Sequence, residues 1–322
     1  MADCRLKVGY VLAGMGVLAA GMVFFGSAAH AASQGRQATA KFDGRRAFED
    51  LQELVRLGER TAGTEGAAQA AEFIARRLRD AGIQVRLDSF SEDTPWGRGR
   101  FTNVMGIIPG QCDSVVIIGG HYDTKAGIGR RFQGANDSGS STAVLLEIAR
   151  VLAASSGQRM EKWVVFFDGE ECRRSYGPHD GLHGSRRLAR RLIQSGAVKR
   201  IRAAVIVDMV GDRDLELTIP PNCSTSLISL LQRCAADLGF EGLVRSYPGP
   251  ILDDHVPFLR CGIPAIDIID FYYGSAPGRN DYWHTLEDSL EHVSARSLEI
   301  VGRIVVEMVR RLDDCEQMPA RK

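Results

Sequence analysis

Two hydrophobic patterns divide the chain. At 45–58 and 65–82 apolar residues return at helical intervals, as in Ala70, Phe73, Ile74 and Leu78, with Arg and Glu between them. That spacing lays an apolar stripe along one side of a helix. The pattern then changes to short unbroken runs of Val, Ile and Phe at 103–108, 114–118, 163–167 and 203–207, which suit strands covered on both faces. Helical spacing resumes at 138–154, where Asp137 or Ser138 stands in position to cap the first turn, and at 185–195. It returns at 224–238 and 294–312, the latter with Leu298, Val301, Ile304, Val305, Met308 and Val309 along one side. Strands alternating with helices predict an α/β fold, a single domain with a central mixed, mostly parallel sheet covered by helices on both faces.

Residues 1–32 break this pattern: Arg5 and Lys7 precede an uncharged, mostly apolar run from Val8 to Phe25, followed by Ser27-Ala28-Ala29-His30-Ala31-Ala32. This is the layout of a signal peptide for export. The alternative is a retained membrane anchor, because the run reaches the lower limit of about 17 residues for crossing a bilayer. Residues 33–322 then form one large domain, since no Pro/Ser-rich linker, repeat or low-complexity tract divides them.

Composition removes one class of partner. Lys plus Arg and Asp plus Glu each number 40, and the basic residues are scattered, so nucleic acid is not expected to bind. Beyond Cys4 in the leader, Cys112, Cys172, Cys223, Cys234, Cys261 and Cys315 contain no CxxC pair and are too irregularly spaced for a thiolate zinc site. An even count in an exported chain permits disulfides; buried free thiols are equally ordinary.

The polar residues of interest follow the apolar runs directly. His121-Tyr122-Asp123 follows the second run, Asp168-Gly169-Glu170-Glu171 the third and Asp208 the fourth. Asp137, Asp253-Asp254-His255 and Trp283-His284 lie in intervening segments. Each alone has an ordinary reading: Asp137 as a helix cap, a lone histidine as a hydrogen-bonded structural group, Glu170-Glu171 as a solvated turn. Together they differ, because carboxylates at several strand ends converge on one rim of the sheet. Their repulsion there is costly unless a cation or a proton lies between them. Oxygen and imidazole donors without thiolates suit catalytic Zn²⁺, and Asp137, Glu171 and His284 supply such a set. In extended chain Glu170 points away from Glu171, which frees it to act as general base.

Several stretches resemble the zinc aminopeptidase and glutaminyl cyclase superfamily, and in particular the animal-type glutaminyl-peptide cyclotransferases. They are Thr94-Pro95-Trp96-Gly97, His121-Tyr122-Asp123-Thr124-Lys125, Phe166-Phe167-Asp168-Gly169-Glu170-Glu171 with Asp180-Gly181-Leu182-His183-Gly184-Ser185-Arg186, and Asp253-Asp254-His255-Val256-Pro257-Phe258-Leu259-Arg260. The resemblance spans 60–312. It implies one Zn²⁺ held by Asp137, Glu171 and His284, Glu170 as proton carrier, Asp208 and Asp253 completing an acidic hydrogen-bond network, and Trp283 as a pocket wall. The implied substrates are peptide or protein amino termini: an amino-terminal glutamine closes its own α-amine onto its γ-carbonyl and releases ammonia. The sequence departs from the animal pattern at Tyr176, where those enzymes carry Trp, and at Asp267, where they carry His. Tyr176 keeps an aromatic wall; Asp267 adds a carboxylate expected to draw in the substrate amine or another cation.

Two other readings use the same residues. In a two-zinc aminopeptidase His121 and Asp208 bind a second ion, Asp137 bridges, and Glu170 activates water. A non-catalytic binding domain on the same fold predicts missing ligands, and every proposed ligand is present.

Overall fold

The computed structural model describes residues 40–314; the expected leader, Cys4 and Cys315 lie outside them. The described chain opens with α1 (Gly44–Val55), capped by the Asp43 carboxylate accepting from the Arg45 and Arg46 amides, and α2 (Glu65–Asp80), capped by Thr64. A long antiparallel hairpin follows, β1 (Gln84–Thr94) and β2 (Gly97–Ile108), turning at Pro95-Trp96. The α/β body is β3 (Cys112–His121), α3 (Ser141–Ala153), β4 (Met160–Phe167), α4 (His183–Gln194) and β5 (Ile201–Asp208). It continues through β6 (Leu217–Ile219), α5 (Thr225–Asp237), β7 (Val244–Ser246), α6 (His255–Arg260), β8 (Ala265–Ile269) and α7 (Ala295–Asp314).

Six strands form one sheet in the order β1-β2-β4-β3-β5-β8, and β6 pairs with β7 in a separate ribbon. β4, β3, β5 and β8 are parallel, while β1 and β2 run antiparallel at one edge. The sheet is therefore mixed and mostly parallel, as the sequence pattern predicts. Alternate residues of the inner strands face opposite ways. Val116, Ile118, Val164, Phe166, Val205 and Val207 pack with residues of α1, α2, α3, α5 and α7. Val115, Ile117, Val165, Phe167, Ala204 and Ile206 pack with Leu188 and Leu192 of α4 and Phe258 of α6. Ile117 and Ile118 are fully buried on opposite faces, each contributing about 1.5–3 kcal/mol relative to exposure. Apolar burial in this body is what stabilises the fold and holds the strand ends rigid.

The structure corrects three local expectations. Asp137 and Ser138 do not cap α3: Asp137 has non-helical angles inside the turn Ala135–Ser140, and neither this turn nor α3 has a side-chain cap. β1 and the first half of β2 are absent from the apolar pattern because they are largely exposed edge strands. β8 escapes it because Asp267 interrupts its run. The cysteines Cys112, Cys172, Cys223, Cys234 and Cys261 are free. Among the described residues no helix is long and apolar enough to cross a membrane.

Candidate active site

The carboxyl ends of parallel strands gather the polar groups, the usual ligand position in open α/β sheets. His121 ends β3, Glu170 and Glu171 follow β4, and Asp208 ends β5. Asp137 comes from the turn before α3, Asp253 from the approach to α6, and Trp283-His284 from the loop before α7. His284 has φ 56, a left-handed conformation uncommon for a residue with a side chain.

His284 Nε2 lies 2.9 Å from Glu171 Oε1 and 3.3 Å from Asp137 Oδ2. Donors bound to zinc at 2.0–2.2 Å in a tetrahedron stand about 3.3 Å apart, so this set fits the ion with little adjustment. Asp137 is shared with a second set: His121 Nε2 is 3.1 Å from both Asp137 Oδ1 and Asp208 Oδ1. A third group, Asp253, His255 and Asp267, is buried nearby.

Distant hydrogen bonds hold the donors. Asp123, itself fully buried, accepts from the Glu170 and Glu171 amides at 3.0 and 3.3 Å and so fixes both glutamates through one carboxylate. Asp288 does the same for Asn136 and Asp137, at 2.7 and 3.2 Å. Trp283 Nε1 donates to Asp137 Oδ2 at 3.0 Å, and Lys125 Nζ donates to Glu171 Oε2 at 3.2 Å and to the Cys172 carbonyl at 2.6 Å. Arg60 is wholly buried and donates to the carbonyls of Tyr122, Gln133 and Gly134, tying the two loops together. Sequence reasoning did not assign Asp123, Asp288, Lys125 or Arg60 a role. Asp123 and Lys125 stand inside a quoted motif; nothing local marks Asp288 or Arg60.

The cavity encloses about 230 Å³, room for one compact side chain. Asp137, Glu170, Glu171, Asp208, Asp253 and His284 form its polar side, and Tyr176, Tyr247, Ile251, Phe271 and Trp283 its apolar side. The Tyr176 hydroxyl donates to Glu170 Oε1 at 2.9 Å, so the tyrosine does more than line a wall. Asp208 pairs with His121, and among the described residues no hydrogen bond joins Glu170 to Asp208 or Asp253; Asp253 acts on it through charge. Asp267 is a correction. It lies in β8 at 0% exposure, behind Asp253 and 3.8 Å from His255 Nδ1, and does not line the cavity. A substrate amine does not reach it.

The electrostatics follow from burial and crowding. Burial lifts Glu170 well above the ordinary carboxylate range, and its neighbours Asp253 and Glu171 add to the rise against the opposing pull of His121. Asp208 is pushed up to about 7 by burial, partly offset by His121. Burial would also raise Asp137, but hydrogen bonds with His121 and His284 outweigh it and hold Asp137 below its usual range. His284 rises to about 9: burial lowers it, and the bonds to Asp137 and Glu171 dominate. The arrangement favours positive charge at the ligand set and gives the acid beside it a raised proton affinity.

Residues 103–309 match the profile of peptidase family M28. A glutaminyl-peptide cyclotransferase of Drosophila melanogaster is 27% identical over 273 residues, covering 76% of this chain and 75% of that protein. The crystal structure of an Acidobacteriales bacterium glutaminyl cyclase superposes with a TM-score of 0.81 at 34% identity, covering 87% of this chain and 97% of that one. A Porphyromonas gingivalis glutaminyl cyclase superposes with a TM-score of 0.76 at 28% identity, covering 84% and 98%.

Proposed function

The chain belongs to peptidase family M28 and, within it, to the glutaminyl cyclases, and from that premise we propose that it converts an amino-terminal glutamine of a peptide or protein to pyroglutamate with release of ammonia. The observation that carries this reading is the placing of Glu170, buried and with its proton affinity raised, in one small cavity with the Asp137–Glu171–His284 donor set.

In this reading one zinc ion is held by Asp137, Glu171 and His284. Bound there, zinc supplies Lewis acidity toward the γ-carbonyl of the glutamine side chain. The residues of the chain do the rest. Tyr247, Ile251, Phe271 and Trp283 enclose the side chain and favour the folded conformer in which the α-amine meets the γ-carbon; nucleophile and electrophile already share one residue, so proximity comes from the substrate. The amine nitrogen forms a bond to that carbon and the amide nitrogen leaves as ammonia. Ionised Glu170 takes the proton from the attacking amine and returns it to the departing nitrogen. Burial and the neighbouring charges of Asp253, Glu171 and Asp254 raise its proton affinity.

A second reading, a two-zinc aminopeptidase, is favoured by one observation: His121, Asp137 and Asp208 form a second donor group that shares Asp137 with the first. Product analysis separates the two. Purified zinc-loaded protein is incubated with a glutamine-initiated and a leucine-initiated peptide and the products are weighed. Loss of one ammonia from the first, with the second untouched, is the expected result; removal of the first residue from either peptide would mean the aminopeptidase.

Residues 1–32 fit an export signal that delivers the enzyme to the periplasm or the exterior, or tethers it to the membrane if uncleaved.

A further inference from the structure

Tyr176 is 37% exposed, so burial does not fix its ring, yet its hydroxyl meets Glu170 Oε1 at 2.9 Å. Among the described residues no other side chain donates a hydrogen bond to the Glu170 carboxylate. We infer that the segment from Cys172 to Leu182 is built to hold the Tyr176 hydroxyl on Glu170, making Tyr176 a positioning residue for the proton carrier as well as part of the cavity wall.

Three independent features of the segment support this. Both of its ends return to Glu170: it leaves through Glu171 and comes back with the Leu182 amide donating to the Glu170 carbonyl at 2.8 Å. Its interior is pinned by the Asp180 carboxylate, which accepts from the amides of Arg173, Arg174 and Ser175 at 2.7, 3.0 and 3.2 Å. From α4, Arg186 donates to the carbonyls of Gly177 and Gly181. Finally, Gly181 has φ 78, and a Cβ there would stand 2.5 Å from Tyr176 Cδ1 and 2.7 Å from Cε1. Only glycine lets the ring settle on Glu170. An ordered loop that pairs its own polar groups this fully, around a half-exposed aromatic ring, serves the position of the hydroxyl.

The consequence is geometric. A carboxylate that both accepts and returns a proton works best when one oxygen is held and the other is left to the substrate. A phenol hydrogen-bonded to Oε1 restricts rotation of the group and leaves Oε2 for transfer. This rests on Glu170 being the proton carrier of the proposed reaction.

Tyr176→Phe keeps the ring and the loop and removes only the hydroxyl. Loss of a hydrogen bond to an ionised group is expected to lower kcat by about 10- to 100-fold, with KM for a glutamine-initiated peptide changed by no more than about twofold and zinc content unchanged. Gly181→Ala displaces the ring instead; it should reproduce the fall in kcat alone and add little when combined with Y176F, the signature of action through one hydroxyl. Unchanged kcat in Y176F, or a raised KM in its place, overturns the inference and leaves Tyr176 as packing or substrate wall. The wild-type product tests the underlying reading separately. If the wild type removes whole residues, the cyclase proposal falls, and the kcat ratio of Y176F in that hydrolysis judges Tyr176 by the same criterion.

Discussion

At the scale of single residues, two neighbouring glutamates are set apart because their amides are held by one buried carboxylate, Asp123, while their side chains diverge, Glu171 toward His284 and Glu170 toward Tyr176. Glu170→Gln keeps the shape and removes the capacity to carry a proton. Turnover of a glutamine-initiated peptide should fall by about 10²- to 10⁴-fold, the usual worth of general acid–base catalysis, with zinc content equal to that of the wild type by metal analysis; a mutant with full activity would remove Glu170 from the role. His284 gives a pH dependence. Its pKa of about 9 means that it carries a proton below that pH until a metal displaces it. Zinc binding near neutrality therefore expels a proton, and apparent zinc affinity should rise up to about tenfold per pH unit toward pH 9. For the metal-free protein the sign is opposite. A histidine pKa raised on folding adds stability that is complete below its unfolded value of about 6.5 and is lost as pH climbs through 9. Chelator competition across that range checks the first trend, and urea midpoints of the metal-free protein the second.

At the scale of elements, the last helix is attached to the sheet by a buried ion pair. Lys162 of β4 is 1% exposed and its Nζ lies 2.6 Å from Asp313 Oδ1 near the end of α7, while the same carboxylate accepts from the amides of Arg159 and Met160. Asp313→Ala leaves the ammonium buried with only the Met160 carbonyl. It should destabilise the protein by about 3–5 kcal/mol, as removal of one partner of a buried pair does, measured as a lowered urea midpoint. Lys162→Met in that background should recover part of the loss, because it removes the stranded charge. Neither change touches the active site, so activity at low temperature should persist.

At the scale of the whole molecule, the fold and the site make opposite demands. The apolar faces of β3, β4 and β5 stabilise a rigid body, and that body forces at least six carboxylates and imidazoles into one rim where each raises or lowers the pKa of the others. Bound zinc relieves part of that repulsion without building the core. Chelation should then abolish turnover while leaving the fold intact, lowering the melting temperature by a reversible amount; free zinc at a hundred times its dissociation constant restores about 2.7 kcal/mol. Scanning calorimetry with and without added zinc measures it. The sequence by itself determined the α/β body and gathered the candidate donors, because apolar runs announce buried strands and the residues that follow them must emerge at one edge. It determined Asp137, Glu170, Glu171 and His284 as candidates for the same reason, and their motifs carried the family. Tertiary structure alone decided how they are held. Asp288 supports Asp137 across 151 positions and Arg60 reaches Gly134 across 74, and no local pattern encodes such a partner. The same holds for Asp267, which the resemblance puts beside the substrate and packing buries in β8 away from the cavity, and for Tyr176, an aromatic residue in sequence that only the closed loop turns into a hydrogen-bond donor. Local periodicity reports which face a side chain takes; which atom it meets depends on contacts made only when the whole chain is folded.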